Sequence, residues 1–181
     1  MRARRTAVVI GVLATVAALA GCSAGHDVVA EVEGATITEA DLDRVVDELG
    51  PLLADSSRGA VLTAIVRSEA GLALAEPNGV EVSSDAAAGD FLTSFAASLG
   101  IEAGGWGEHS LTIGRMQLLG QELGNTIGVE ETNAQFAAVL AEADVTVSPR
   151  YGEYDPTAGG IVPLQLDWIA TPGGDEQAAG Q

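Results

Sequence analysis

Residues 28–33 read Val-Val-Ala-Glu-Val-Glu, an imperfect alternation rich in β-branched side chains that Gly34 interrupts. That pattern predicts a short strand followed by a turn. Thr38 with Asp41 three residues later predicts a helix start with a reciprocal cap, and Ile37 stands where it can staple onto Leu42. Leu42, Val45, Val46 and Leu49 recur at helical spacing, and Gly50-Pro51 ends the run. A longer helix is predicted over 57–76, with Val61, Leu62, Ile65, Val66, Leu72 and Leu74 as its apolar surface. Gly71 weakens that helix without forbidding it, and Pro77-Asn78-Gly79 closes it. Val80 and Val82 make a brief extended link to a helix capped by Ser83 or Ser84, with Asp85 in its first turn. Phe91, Leu92, Phe95 and Leu99 mark one face of that helix, which Gly100 ends. Residues 102–109 are loop-like. Two further helices follow, over 112–123 with Ile113, Met116, Leu119 and Leu123 inward, and over 131–143 with Phe136, Val139 and Leu140 inward. Val145-Thr146-Val147 is a second β-branched run, stopped by Ser148-Pro149. The expected fold is mainly α: a bundle of about five helices, closed by a pair of short strands from the two ends of the domain.

The first residues follow a different logic. Residues 1–5 are basic, residues 6–19 carry no charge, and Leu19-Ala20-Gly21-Cys22 comes next. A basic start, a short apolar run and small residues before a cut site mark a secretory signal. The run is shorter than the roughly 20 residues of a membrane-spanning helix. Leu-Ala-Gly-Cys resembles the lipobox of bacterial lipoproteins, in which the cysteine is acylated and becomes the first residue of the mature chain. The expectation is a lipid anchor on Cys22, with the lipid bilayer as a partner and the mature domain on the extracytoplasmic side of the cell membrane. Acyl chains contribute about 0.8 kcal/mol per buried methylene, so two or three of them, palmitate among the usual kinds, hold a domain at a bilayer. Cys22 is the one cysteine in the chain, so an acylated Cys22 leaves no thiol for disulfides or metal binding.

The organisation expected from these signals is a lipoprotein signal peptide over 1–21, a tether over 22–27, a helical domain over 28–156 and a largely irregular tail over 157–181. Charge adds one constraint. The chain holds 8 basic and 26 acidic residues, for a net charge of −18. Loss of Arg2, Arg4 and Arg5 with the signal takes it to about −21, with no lysine left. Such a surface repels nucleic acid and anionic headgroups. It either steers basic partners or reflects adaptation to salt.

Four stretches together resemble the N-terminal domain of SurA-type chaperones and PrsA-like foldase lipoproteins, in the form found in actinobacterial lipoproteins. They are the strand, Gly and capped helix over 28–49, the helix closed by Pro77-Asn78-Gly79 and its sequel to Ala88, the helix running into Val145-Thr146-Val147, and the exit Ser148-Pro149-Arg150-Tyr151-Gly152 up to Pro156. The likeness covers about 130 residues. It implies a SurA N-terminal-like helical bundle with its first and last strands joined, used to hold non-native or exported polypeptides without catalysis. Many relatives add a parvulin prolyl-isomerase domain. The roughly 25 residues after Pro156 are too few for one, so isomerase activity is not carried over and no enzyme is expected. Two alternatives stand beside this reading: a structural or adaptor lipoprotein that binds one surface partner, and a degenerate relative of the isomerases. A chaperone-like groove is expected along the Leu, Val and Phe stripes of the helices around Leu42–Leu74.

Few residues offer chemistry. Arg150 and Tyr151 form either a polar contact site at the base of the bundle or a structural pair, with Arg150 on a nearby acid and the Tyr151 hydroxyl on a backbone group. Trp106, in a Gly-rich loop, either touches a ligand or caps the core. Glu108-His109-Ser110 contains the residue types of a hydrolase relay, but such groups must converge in space, and Ser110 does not sit in a Gly-x-Ser-x-Gly elbow. His26 lies in the tether with no Cys/His cluster beside it. Gly104-Gly105-Trp106-Gly107 lacks the Lys-Ser/Thr of a phosphate loop. No cofactor and no metal are expected.

Overall fold

The computed structural model describes residues 27–164. Cys22, His26, the signal segment, all of the tether before Asp27 and the chain from Gln165 onward lie outside the described residues.

Strand β1 (Val28–Val32) turns back on itself through Glu33 and Gly34, with φ of 50° and 84°. Two successive left-handed residues form the tight turn whose twist suits a hairpin. The next residues, read from sequence as turn and cap, therefore pair with β1 as β2 (Ala35–Thr38). Thr38 then caps α1 (Glu39–Leu49). Its hydroxyl accepts from the Asp41 N–H, and its own N–H donates to the Asp41 carboxylate at 3.0 Å. Ile37 is fully buried, and Leu42, Val45 and Leu49 form the inner face of α1.

Helix α2 (Arg58–Gly71) is the central element. Ser57 caps it through the Ala60 N–H. Val61, Leu62, Ile65 and Val66 are completely buried on more than one side of the helix. A helix with apolar residues around most of its circumference belongs inside a domain. Helices α1, α4 (Glu108–Thr126) and α5 (Val129–Glu142) and strands β1 and β5 (Gly160–Val162) all pack on it. Its regular part is shorter than the sequence pattern suggests. From Leu72 it gives way to two tight 3-10 turns, and Gly79 leaves with φ 64°.

Helix α3 (Asp85–Ser98) is capped by Ser84, and α4 (Glu108–Thr126) lies beside it. The expected inward face of α3 is only partly right. Ala88, Leu92 and Ala96 are buried, whereas Phe95 and Leu99 are 43% and 51% exposed. The cause is close approach: a Cβ on Gly114 of α4 would sit 3.2 Å from both the Cβ and the carbonyl oxygen of Ala88. The helices meet along their small residues, and the bulky Phe95–Leu99 edge turns outward. Helix α4 also starts four residues before the expected Thr112, because Gly107 is fixed by a 2.7 Å hydrogen bond from its N–H to Glu48. Helix α5 (Val129–Glu142) completes the set.

The protein is thus a mainly helical domain of five helices with a few short strands. The strands are not the expected closing pair. Strand β3 (Val145–Val147) pairs antiparallel with β1, but β2 occupies the other side, giving an open three-stranded sheet in the order β2-β1-β3. A second sheet is the hairpin of β4 (Glu153–Asp155) and β5 (Gly160–Val162). Packing therefore continues beyond Pro156 into the stretch read as an irregular tail. The Ile161 N–H donates to the Thr63 hydroxyl of α2, and the Tyr154 hydroxyl donates to the Leu140 carbonyl of α5 at 2.6 Å. Among the described residues no helix is long and apolar enough to cross a membrane.

Candidate functional site

Two groups of polar side chains, the surroundings of Trp106 and a pair of adjoining hollows are the places where this fold presents chemistry. The first group ties the chain exit to the start of the bundle. Tyr151, just past β3, donates its hydroxyl to Glu39 at 2.6 Å and accepts from Arg58 at 2.9 Å. Arg58 also binds Asp43 and Glu39, and Arg150 binds Glu39 at 2.8 Å. The guanidiniums of Arg58 and Arg150 lie about 6 Å from the Tyr151 ring centre, in cation–π range. The hydrogen bond from Arg58 to Tyr151, then that to Asp43, raises the guanidinium above its ordinary value. Burial, helped by the Glu39 contact, pushes the Tyr151 phenol up. Tyr151 keeps its proton and Arg58 its charge, so the network is a clamp that joins α1, α2 and the exit from the sheet.

The second group is one that sequence spacing hides. His109, in the first turn of α4, is only 9% exposed and shares a 2.9 Å hydrogen bond with Glu69 of α2. Its other ring nitrogen lies 4.0 Å from Asp41 of α1. The Glu69 bond outweighs burial, and with the charges of Asp41 and Glu108 it raises the imidazole above its ordinary value. Burial works against the Asp41 carboxylate, but the Thr38 hydroxyl and N–H and the nearby His109 hold it below the usual range. Three helices therefore meet at one partly buried charge cluster. It is not a hydrolase relay: Ser110 is fully buried, and its hydroxyl has no hydrogen-bond partner, His109 included. Among the described residues no group of three or more His, Cys, Asp and Glu side chains is placed to hold a metal ion.

Trp106 is half-buried against the main core, and its indole N–H donates to the Thr93 hydroxyl of α3 at 3.0 Å. It also lines a hollow of about 220 Å³ between α1 and the 101–105 loop, whose wall includes Asp47, Glu48 and Glu102.

The groove expected along 42–74 is closed. Leu42, Val45, Val61, Leu62, Ile65 and Val66 are at most 1% exposed, because α2 is surrounded and its stripes are the core itself. The open hollow lies instead on the remaining edge of α2, where Ala60, Thr63, Ala64 and Arg67 face α4 and α5. It has a volume of about 450 Å³, with Ile113, Met116, Phe136, Val129 and Leu53 as its apolar lining. Val129 is 67% exposed and Leu53 37%. A second hollow of about 570 Å³ continues from it between α5 and the β4–β5 turn. Arg67, Asn133 and Phe136 belong to both, so the two meet where the Arg67 guanidinium lies 5.1 Å from the centre of the Phe136 ring. The one sequence hint was Arg67 itself, which with Glu69 interrupts the apolar run of α2.

No model of a known protein family matches the chain, and neither a curated protein nor a solved structure matches it at a significant level.

Proposed function

We propose that this chain is an extracytoplasmic lipoprotein, anchored to the cell membrane through an acylated Cys22, whose helical domain holds segments of non-native or exported polypeptides without catalysis. The reading joins the lipobox-like Leu19-Ala20-Gly21-Cys22 to the SurA N-terminal-like pattern of the strand, capped helix and Pro-Arg-Tyr exit. The observation that carries it is the groove between α2, α4 and α5, where apolar side chains remain open to solvent in a domain whose core is otherwise sealed. Open apolar surface rimmed by polar groups is the usual mark of a protein-binding site. Here the rim is Thr63, Gln117 and Asn133.

The test is suppression of aggregation of a chemically unfolded client by the purified chain, beside a variant carrying Gly120→Phe. Gly120 lines the groove with open space where its Cβ would stand, so a ring there fills the hollow without displacing the core. Suppression by the native chain and its loss in the filled variant support the reading. Equal behaviour of the two chains, or no suppression at any ratio, counts against it. Recovery of one stoichiometric partner in place of many clients would favour the adaptor alternative. Mass spectrometry showing an unmodified Cys22 sulfur in the native protein would remove the anchor.

A further inference from the structure

Among the described residues, the wall of the groove holds one basic side chain, Arg67, and no carboxylate. The chain carries 26 carboxylates against 8 basic residues, and five of the arginines lie beyond Cys22. Four of those five are engaged by acids: Arg44 with Glu48, Arg58 with Glu39 and Asp43, Arg115 with Asp85, and Arg150 with Glu39. Arg67 is the exception among the described residues. Its recorded contacts are the face of Phe136 and a long, 3.4 Å hydrogen bond to the Gly159 carbonyl. Neither hollow that meets at Arg67 has an Asp or Glu in its wall. In a chain so rich in acids, a half-buried arginine facing an apolar hollow is, among the described residues, a positive site with no carboxylate beside it.

We infer that the groove selects apolar polypeptide segments of other proteins that carry a carboxylate side chain, with Arg67 as the group that binds it. This inference rests on the polypeptide-binding reading above and adds what that reading leaves open, the chemistry of the bound segment. The flanks of the segment lie on Ile113, Met116 and Phe136, and its carboxylate meets the guanidinium at the junction of the two hollows. Phe136 lies against the Arg67 guanidinium, which leaves the N–H groups other than the one on the Gly159 carbonyl to meet an acceptor. The acidic surface does not defeat this contact. At physiological salt the Debye length is about 8 Å, so distant carboxylates are screened while a direct, partly desolvated ion pair is not.

The test uses the native chain at physiological salt and a short, end-capped, fluorescently labelled peptide of Leu and Val around one central Asp, beside its Asn twin. Fluorescence anisotropy should show the Asp peptide binding about tenfold more tightly than the Asn peptide, as a charge-assisted contact provides. In Arg67→Gln the two peptides should bind alike, and in Arg67→Lys a preference for Asp should remain. Equal binding of the twins by the native chain, a preference that survives in Arg67→Gln, or its loss in Arg67→Lys overturns the inference while leaving polypeptide binding intact. Failure of both peptides to bind the native chain overturns the underlying reading as well. Asp167 is the one carboxylate within residues 164–169. Tighter peptide binding by an Asp167→Asn chain would mean that this stretch of the chain itself is the occupant, and would overturn a partner supplied by another protein.

Discussion

Replacing Gly71 with alanine sets local propensity against packing, and the structure decides which wins. Gly71 has helical angles, φ −66° and ψ −24°, so alanine fits the backbone. On propensity alone the change should stabilise by up to about 1 kcal/mol. The new methyl would lie 2.5 Å from Cε2 of Phe136 and 2.7 Å from Sδ of Met116. Ordinary contact between such atoms is about 3.5–4.0 Å, so both side chains must retreat by roughly 1 Å. Met116 can swing away, but the Phe136 ring is held between Arg67 and the core. Overpacking of this kind costs about 1–3 kcal/mol, and two neighbours that must move together put it in the upper half of that range. Gly71→Ala is therefore expected to lose about 1–2 kcal/mol net, or about 5 °C in melting temperature for a domain of this size. Gly120→Ala on α4 is the matched comparison. Nothing lies within 4 Å of its Cβ position, and the same substitution there should gain about 0.5–1 kcal/mol. Urea unfolding followed by far-ultraviolet circular dichroism measures both. If Gly71→Ala stabilises as Gly120→Ala does, α2 and α5 do not cross at Gly71 as described, and the groove wall formed by Met116 and Phe136 falls with them.

Three further outcomes follow from the charge clusters and the cap. Tyr151→Phe removes the hydroxyl that joins Glu39 to Arg58 and should cost about 1–2 kcal/mol in urea unfolding; no change would mean the clamp adds nothing to stability. His109 has a raised folded-state pKa, so the native state binds its proton more tightly than the unfolded chain does. The stability it adds is full below about pH 6.5 and is lost as pH rises through the raised value. Melting temperatures of the native chain and His109→Gln should therefore converge as pH rises from 5.5 to 9, and a gap that stays constant would refute the Glu69 pairing. Thr38→Ala breaks the reciprocal cap of α1 and should cost about 1 kcal/mol, which melting at neutral pH will register.

Much of the local structure was written in short-range pattern. The cap at Thr38 and Asp41, the inner face Leu42–Val45–Leu49 and the helix count follow from spacing alone, because capping and amphipathicity act within one or two turns of the chain. Departures arose where distant segments met. Residues 35–38 resemble a turn leading into a helix, yet positive φ at Glu33 and Gly34 folds them back as an edge strand. Gly160–Val162, read as tail, is a strand because Tyr154 and Thr63 anchor its hairpin to α5 and α2. Phe95 and Leu99 carry the sequence signature of a core face but are turned outward by the close α3–α4 approach at Gly114.

The candidate sites divide in the same way. Arg150 and Tyr151 could be singled out from sequence, but their partners Glu39 and Arg58 lie about 90 or more residues away and only the closed fold brings them together. His109 looked like a loop residue beside a serine and an acid; its real neighbours, Glu69 and Asp41, come from two other helices. The sequence by itself determined which stretches could be helical, which face of each was apolar and how acidic the whole must be. Those properties depend on neighbours three or four residues away, or on composition alone. Tertiary structure alone decided that the stripes of 42–74 seal against one another while the edge of α2 at Arg67 stays open, because accessibility depends on how many elements crowd around a helix, and no local pattern records that number.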